Sequence, residues 1–320
     1  MFPDQRKLLI IDGNALIHRA FHAIPHLTNS AGIPTNAVYG FASMILNLLL
    51  KMHPQYIVMT YDLKGKTFRD DIYTEYKATR AAAPQELYDQ IPQIKKLVQA
   101  FNIPEFAVEG FEADDVIATI VKKMNDPKSA DYAEYKDVHS YVVTGDRDTF
   151  QLISPTVSVI TPHKGFNEII IYTPEKVKEE FGITPEQFCD YKTLRGDTSD
   201  NIPGVPGIGE KTATDLLQKF QTIDGIYANL DKISPAVAKK LTTGIASMEM
   251  SRQLVCLTST VDIDFDLDKC TMHDFNVHEV MDMFQALEFR SLIKKLTDLN
   301  SKYDESRKAD VNGTLPLVFD

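Results

Sequence analysis

Residues 140–148, SYVVTGDRD, carry a short apolar run that stops at a glycine and closes on two aspartates, Asp146 and Asp148. Two earlier stretches repeat the pattern: LLIID, residues 8–12, ends on Asp12, and YIVMTYD, residues 56–62, ends on Asp62. Apolar runs this short, bounded by turn residues, read as buried strands. Segments of helical spacing lie between them. Val38, Phe41, Ile45, Leu48 and Leu49 mark one over 36–52, and Leu87, Ile91, Ile94, Leu97, Val98 and Phe101 mark a second, with Pro92 expected to kink it. Val116, Ile117, Ile120, Val121 and Met124 mark a third over 113–124. The order β-α-β-α-α-β predicts an α/β fold with a mostly parallel central sheet flanked by helices. Parallel strands put their carboxyl ends on one edge, where open α/β folds place their ligand site.

The acids therefore matter jointly. Glu112, Asp114 and Asp115 open the third helix, where the helix dipole alone would favour them. Asp12-Gly13, Asp62 and TGDRD each read equally well as ordinary strand-end turns. Convergence of all of them on one edge is the reading that calls for metal. Two carboxylates 5 Å apart repel by about 3 kcal/mol at an effective dielectric near 20, so a cluster needs cations. An all-oxygen donor set without cysteine or histidine suits Mg²⁺ or Mn²⁺, and two such ions can activate a water and stabilise the leaving oxygen of a phosphodiester. His18, His22 and His26 are spaced by four, but Pro25 interrupts any helix carrying them, so zinc is not expected there. Met44, Met52 and Met59 fall on apolar segments and read as core.

The chain of 320 residues is 43% hydrophobic, ample for a globular core, and no apolar run reaches the ~18 residues that a membrane helix requires. Cys189, Cys256 and Cys270 are far apart, which predicts neither a zinc ribbon nor a disulfide framework and suits a reducing, cytoplasmic setting. A formal net charge of −11 argues against a nucleic-acid partner. Setting aside the seven acids above together with Asp197 and Asp200, which also stand beside turn residues, leaves the remainder near neutral, so local basic patches decide. One is KGKTFRDDIYTEYKATR, residues 64–80, where Lys64, Lys66, Arg69, Lys77 and Arg80 alternate with Phe68, Tyr73 and Tyr76. Cations interleaved with aromatics suit a single strand, although a solvated loop would read the same way.

Beyond residue 156, Val157–Ile160 and Glu168–Tyr172 predict an edge hairpin around HKGFN. Thr173-Pro174 and Thr184-Pro185 predict two capped helices that stop at Gly182 and Gly196. GVPGIGEKTA, residues 204–213, places three glycines before a helix whose free amides suit a phosphate. This is a helix-hairpin-helix signature that grips duplex backbone without reading sequence. Residues 298–320 are expected to be a polar tail or linker.

Taken in order, LIIDGN with Arg19, LTNSAGIPTNAVYGF, YDLKGKTFRD, YKATR, GFEADDVIAT, TGDRD and LRGDTSDNIPGVPGIGEKTA resemble the 5′ nuclease, or flap endonuclease, family, most closely the 5′–3′ exonuclease domain of bacterial DNA polymerases of type I. The resemblance covers roughly residues 7–292. It implies a PIN-like sheet domain over 1–173, with a helical arch over about 64–93, and a helical duplex-binding domain with the helix-hairpin-helix over 174–297. It implies a metal site of Asp12, Asp62, Glu112, Asp114, Asp115, Asp146, Asp148, Asp197 and Asp200, seven from the sheet half and two from the helical half. Lys77, Arg80 and Tyr76 would serve the scissile phosphate, and Arg19, Lys64, Lys66, Arg69, Gly204, Gly207, Gly209, Lys211 and Thr212 would contact DNA.

The implied activity is metal-dependent hydrolysis at single-strand/duplex junctions, including 5′ flaps and RNA primers, leaving a 5′-phosphate and a 3′-hydroxyl in replication and repair. Mg²⁺, replaceable by Mn²⁺, would be the cofactor, with K⁺ at the hairpin, and the protein would be a monomer with a DNA polymerase as fused or separate partner. Two features depart from the family pattern: the longer connection 125–139, and AAAP after Arg80. The 28 residues after residue 292 do not resemble a polymerase and are expected to hold no further domain. The rival readings are a PIN-type nuclease of single-stranded RNA, which the glycine hairpin opposes, and an inactive DNA-structure-binding protein, which nine retained acids oppose.

Overall fold

The computed structural model describes residues 6–129, 131–163, 168–272 and 275–311. In chain order the first half runs β1 (Arg6–Asp12), α1 (Gly13–Ala23), α2 (Asn36–Met52), β2 (Tyr56–Thr60), α3 (Phe68–Ile72), α4 (Gln85–Ala100), β3 (Glu105–Phe106), α5 (Ala113–Asn125), α6 (Tyr132–Tyr135), β4 (Val138–Val143), β5 (Val157–His163) and β6 (Glu168–Tyr172). The strands form one sheet in the order β3-β2-β1-β4-β5-β6, parallel throughout except for the antiparallel edge pair β5–β6. β1 pairs with β2 on one side and β4 on the other, Ile11 facing both Met59 and Val143. The predicted strand ends at Asp12, Asp62 and Asp146 are therefore neighbours on one edge. The edge hairpin forms as expected, its turn residues 164–167 lying outside the described residues.

Alternation along the strands builds two cores. Leu8, Ile10, Val58, Val142 and Val159 face α5 and the helical half, while Leu9, Ile11, Ile57, Met59 and Val143 face α1, α2 and α4. Met44, Met52 and Met59 are buried in the second core. Pro92 lies within α4, which continues on both sides of it. α1 and β3 add to the predicted element order. α1 starts because Asp12 caps it, accepting the Ala15 amide at 2.9 Å, and it ends at Ala23, so His26 lies beyond the helix that carries His18 and His22.

The second half runs α7 (Pro174–Phe181), α8 (Phe188–Arg195), α9 (Glu210–Phe220), α10 (Ile223–Tyr227), α11 (Pro235–Thr243), α12 (Ile245–Val255), α13 (Val277–Ala286) and α14 (Arg290–Val311). Thr173 caps α7, and Gly182 ends it in the left-handed conformation. Apolar packing continues without a break from the sheet into α8, α9 and α11. α13 and α14 instead return to the other face and pack with α2 and α4.

Two expectations need correction here. Residues 298–311 continue α14, and Leu299 is buried in the second core, so this part of the expected tail is an ordered helix; residues 312–320 lie outside the described residues. Cys189 on α8 and Cys256 at the end of α12 are joined as a disulfide, their Cα atoms 5.4 Å apart across 67 residues. Spacing in sequence could not reveal that pairing, because the fold alone brings the two helices together. Among the described residues no helix is long and apolar enough to cross a membrane.

Candidate metal and nucleic-acid site

Four aspartates crowd the carboxyl edge of the sheet around Asp114. Asp12 is buried, accepting Ala15 N through Oδ1 and Thr144 Oγ1 at 2.8 Å through Oδ2. Burial, and then the charges of Asp62 and Asp146, push its pKa up to about 6. Asp62 spans to α5: its Oδ1 accepts the Ala113 amide at 2.6 Å and its Oδ2 accepts Asn14 Nδ2 at 3.1 Å. Asp146 accepts the Asp148 amide at 2.9 Å. Asp148 is pushed up to about 7, by burial first and Asp146 second, with Lys192 opposing. Asp114 feels burial first and then Asp146, Asp12, Asp148 and Asp62, which together raise its pKa well above the carboxylate range. Its Oδ1 is buried without a hydrogen-bond partner. An oxygen in that position is a donor awaiting a cation or a proton.

The remaining acids are held by the chain's own cations. Lys192 on α8 bridges Asp148 and Asp197, joining the sheet edge to the helical half. Burial acts upward on Asp197, but Lys192 and Ser199 outweigh it and hold the pKa down to about 2. Glu112 accepts Lys77 Nζ at 2.7 Å and the Tyr76 hydroxyl at 3.1 Å. Asp200 accepts Arg80 Nε at 3.1 Å and Tyr76 at 3.3 Å, and its carbonyl accepts the Lys77 amide at 3.0 Å. Burial, Glu112 and Asp200 raise the Tyr76 hydroxyl above the usual phenol range. Among the described residues no three acid, histidine or cysteine side chains form a closed ligand set. The aspartates around Asp114 share one edge, while Glu112, Asp197 and Asp200 are engaged by Lys77, Lys192, Tyr76 and Arg80.

Asp115 and Arg69 take places other than those expected. Asp115, one helical step from Asp114, is 0% exposed and accepts Arg69 Nη1 and Nη2 at 2.6 and 2.8 Å. It also accepts the Thr258 amide at 3.0 Å, while Arg69 Nε donates to the Leu254 carbonyl at 2.8 Å. Arg69 is 1% exposed, so it is no surface contact for DNA, and both Asp115 oxygens are taken up by Arg69 and by the Glu112 and Thr258 amides. The pair pins α3 and α5 to the chain that leaves α12. Arg69 belonged to a basic run of whose other members Lys64, Lys66 and Arg80 are exposed and Lys77 is half-buried; nothing local marks it as the one turned inward.

Residues 64–93, expected as a helical arch, are helical at α3 and from Gln85 onward, with turns over 74–79. Tyr76 is buried, and Lys77 adopts a positive φ of 55°. Arg19 is partly buried on α1. In the hairpin, Gly207, Gly209 and Lys211 are exposed, and Thr212 is partly so. Gly204 is buried instead: a Cβ there would lie 2.3 Å from the Gly196 nitrogen. Both glycines have positive φ, and between them Asp197 and Ile202 exchange backbone hydrogen bonds at 2.9 and 2.7 Å. Gly204 thus closes the loop bearing Asp197 and Asp200 rather than facing a ligand. Lys240 on α11 donates from Nζ to the Gly207 carbonyl at 2.9 Å.

Sequence reading missed Lys192, Thr144 and Asn14. Thr144 and Asn14 adjoin motif acids, but Lys192 looks like any helical lysine, and its position one turn before Gly196 is the only hint.

Residues 7–182 match the family 5′-3′ exonuclease, N-terminal resolvase-like domain, and residues 183–278 match 5′-3′ exonuclease, C-terminal SAM fold. DNA polymerase I of Caldicellulosiruptor bescii is 40% identical over 292 residues, 91% of this chain and 33% of that protein. DNA polymerase I of Bacillus subtilis is 36% identical over 314 residues, 97% of this chain and 34% of that one. The chain thus spans about a third of the curated relatives it matches. The bacteriophage T5 D15 flap endonuclease, solved with DNA and metal ions, has the same fold at a TM-score of 0.63, with 22% identity over 93% of this chain and 100% of that one. With both of that family's domain models matched in order across residues 7–278, over a sheet edge of acids that Lys192 ties to Asp197 of the helical half, the chain belongs to the 5′-3′ exonuclease family.

Proposed function

We propose that this chain is a divalent-metal-dependent 5′–3′ exonuclease and flap endonuclease that hydrolyses phosphodiesters near single-strand/duplex junctions. The observation that carries the reading is Asp114, its buried Oδ1 without a partner while burial and then four other aspartates raise its pKa. Oxygen donors in a desolvated, mutually repelling group suit a hard cation. Asp12, Asp62, Glu112, Asp114, Asp146 and Asp148 would hold Mg²⁺, or Mn²⁺ in its place, with Asp197 and Asp200 completing the set from the helical half. Bound there, the metal would supply an activated water and charge stabilisation for the leaving 3′ oxygen.

The chain's own groups do the rest. Lys77 and Arg80, which neutralise Glu112 and Asp200, would turn to the scissile phosphate. Thr144 and Ala15 orient the Asp12 carboxylate. Lys192 keeps Asp197 ionised beside Asp148. Gly207, Gly209, Lys211 and Thr212 would hold duplex backbone at the start of α9, while Lys64 and Lys66 would track the 5′ strand. K⁺ at the hairpin would have to compete with Lys240, whose Nζ donates to the Gly207 carbonyl.

The sheet domain is proposed over 1–173 and the duplex-binding domain over 174–297. The setting is cytoplasmic replication and repair, acting as a monomer on branched or 5′-flap DNA and on RNA/DNA primer junctions, beside a fused or separate polymerase. The T5 D15 flap endonuclease, alike in fold and solved with DNA and metal ions, supports the part of this reading that concerns DNA and metal.

The test incubates the protein with Mg²⁺ and an end-labelled 5′-flap duplex, a blunt duplex and single-stranded RNA. Cutting confined to the flap junction is the expected result. Cutting of the RNA alone would move the assignment to a PIN-type ribonuclease, and no cutting in Mg²⁺ or Mn²⁺ would leave only DNA binding.

A further inference from the structure

Two sulfurs outside the proposed chemistry stand where the hairpin segment meets the sheet half. Cys189, the second residue of α8, and Cys256, just past α12, have Cα atoms 5.4 Å apart, inside the roughly 4.4–6.8 Å span that a disulfide requires. Both are half-buried and within reach of a small reagent. Cys270 differs. It is fully buried, its Sγ donates to the Asp266 carbonyl at 3.1 Å, and burial pushes its pKa up to about 12, so it is inert.

The pair encloses the part of the chain that matters most to the site. The span between them, 67 positions apart in sequence, contains Asp197, Asp200 and the whole hairpin. Cys256 is anchored to the sheet half by its neighbours: the Leu254 carbonyl accepts Arg69, the Val255 carbonyl accepts Gln151, the Leu257 amide donates to Gln151, and the Thr258 amide donates to Asp115. Cys189 lies one turn before Lys192, and both cysteines pack with Tyr73, Tyr76, Leu254 and Val255.

We propose that Cys189 and Cys256 are a reversible thiol–disulfide exchange site for a small-molecule disulfide of the glutathione type, which fastens the hairpin segment to the sheet half. One cysteine thiolate attacks the small disulfide, forming a mixed disulfide and expelling one thiolate. The second cysteine thiolate then attacks the mixed sulfur and expels the other. Two protein thiols are oxidised, the small disulfide is reduced to two thiols, and the two cysteine protons pass to them. Closing so long a loop restricts the unfolded chain and holds α8 against the end of α12.

The full chain, reduced with dithiothreitol, is treated with oxidised glutathione and then alkylated after denaturation. One of three thiols should remain, with a cross-linked peptide joining Cys189 to Cys256. The oxidised protein should melt about 5–10 °C higher than the reduced one, with slower amide exchange over 188–195 and 245–258. Cys189→Ser and Cys256→Ser should each melt like the reduced wild type whatever the redox buffer. Three reactive thiols after oxidation, a cross-link through Cys270, or equal melting of the two wild-type redox forms would each overturn the proposal. None of these readouts requires nuclease activity, and the wild-type comparison stands even if a serine variant fails to fold.

Discussion

Nothing in GFEADD distinguishes Asp114 from Asp115, yet one helical step sends them in different directions. Asp114 joins the carboxylate edge, and Asp115 closes a buried ion pair with Arg69. Breaking a buried pair from one side strands a charge. Arg69→Met should therefore cost about 3–5 kcal/mol in denaturant unfolding, and Arg69→Met with Asp115→Leu should recover much of that loss. A double variant no more stable than the single one would mean that the pair is not coupled. The cluster predicts a pH dependence of opposite sense to most acids. Asp12 and Asp148, at about 6 and about 7, bind protons more tightly folded than unfolded. Their contribution is complete below the ordinary aspartate range and is lost as pH rises through 6 and 7. Asp197, held near 2, contributes above the ordinary range and loses its share only as pH falls toward 2. Metal-free protein should thus lose stability, on the order of a few kcal/mol, between pH 5 and 8. Mg²⁺ should restore more at pH 8 than at pH 5, and Asp114→Asn should flatten the metal-free profile. A flat wild-type melting curve across that range would contradict the crowding of these carboxylates.

At the scale of elements, residues 73–80 lie down on the acids through Tyr76, Lys77 and Arg80, tying α3 and the approach to α4 to Glu112 and Asp200. Ion pairs between partly exposed partners weaken with salt. Amide exchange over 73–84 should accordingly speed up when Mg²⁺ competes for Glu112 and Asp200, and Lys77→Ala with Arg80→Ala should show the fast rate without metal. Exchange unaffected by Mg²⁺ would show that the segment is held by its packing alone. Elements of this kind are the hardest to read in advance. Strands and long helices announce themselves by period, and β1, β2, β4, α2, α4 and α5 stand where periodicity put them. α1 hides because its buried residues, Leu16, Ile17 and Ala20, follow a turn glycine too closely. β3 is two residues long, and α14 has a polar surface that disguises its one apolar stripe.

The molecule as a whole was legible where chemistry repeats along the chain and illegible where only folding creates a neighbour. Three strand ends closing on aspartates were enough to indicate a shared edge, and the glycine-rich GVPGIGEKTA was enough to indicate the hairpin. The inward turn of Arg69, the Lys192 bridge and the Cys189–Cys256 pairing each join residues whose separation carries no signal. The clasp of Gly196 on Gly204 has a consequence at this largest scale. On the function proposed above, with Asp197 and Asp200 at the point of scission and Gly207 at the point of grip, the loop would act as a ruler of fixed length between the two. Gly204→Ala, which cannot close it without displacing backbone, should turn a single product length on a 5′ flap into a ladder of adjacent lengths, at duplex affinity within about threefold of the wild type. Products of one unchanged length would show that the measuring is done elsewhere. If the ruler holds, hairpins can be exchanged between relatives only together with residues 196–204, because the calibration travels with the loop.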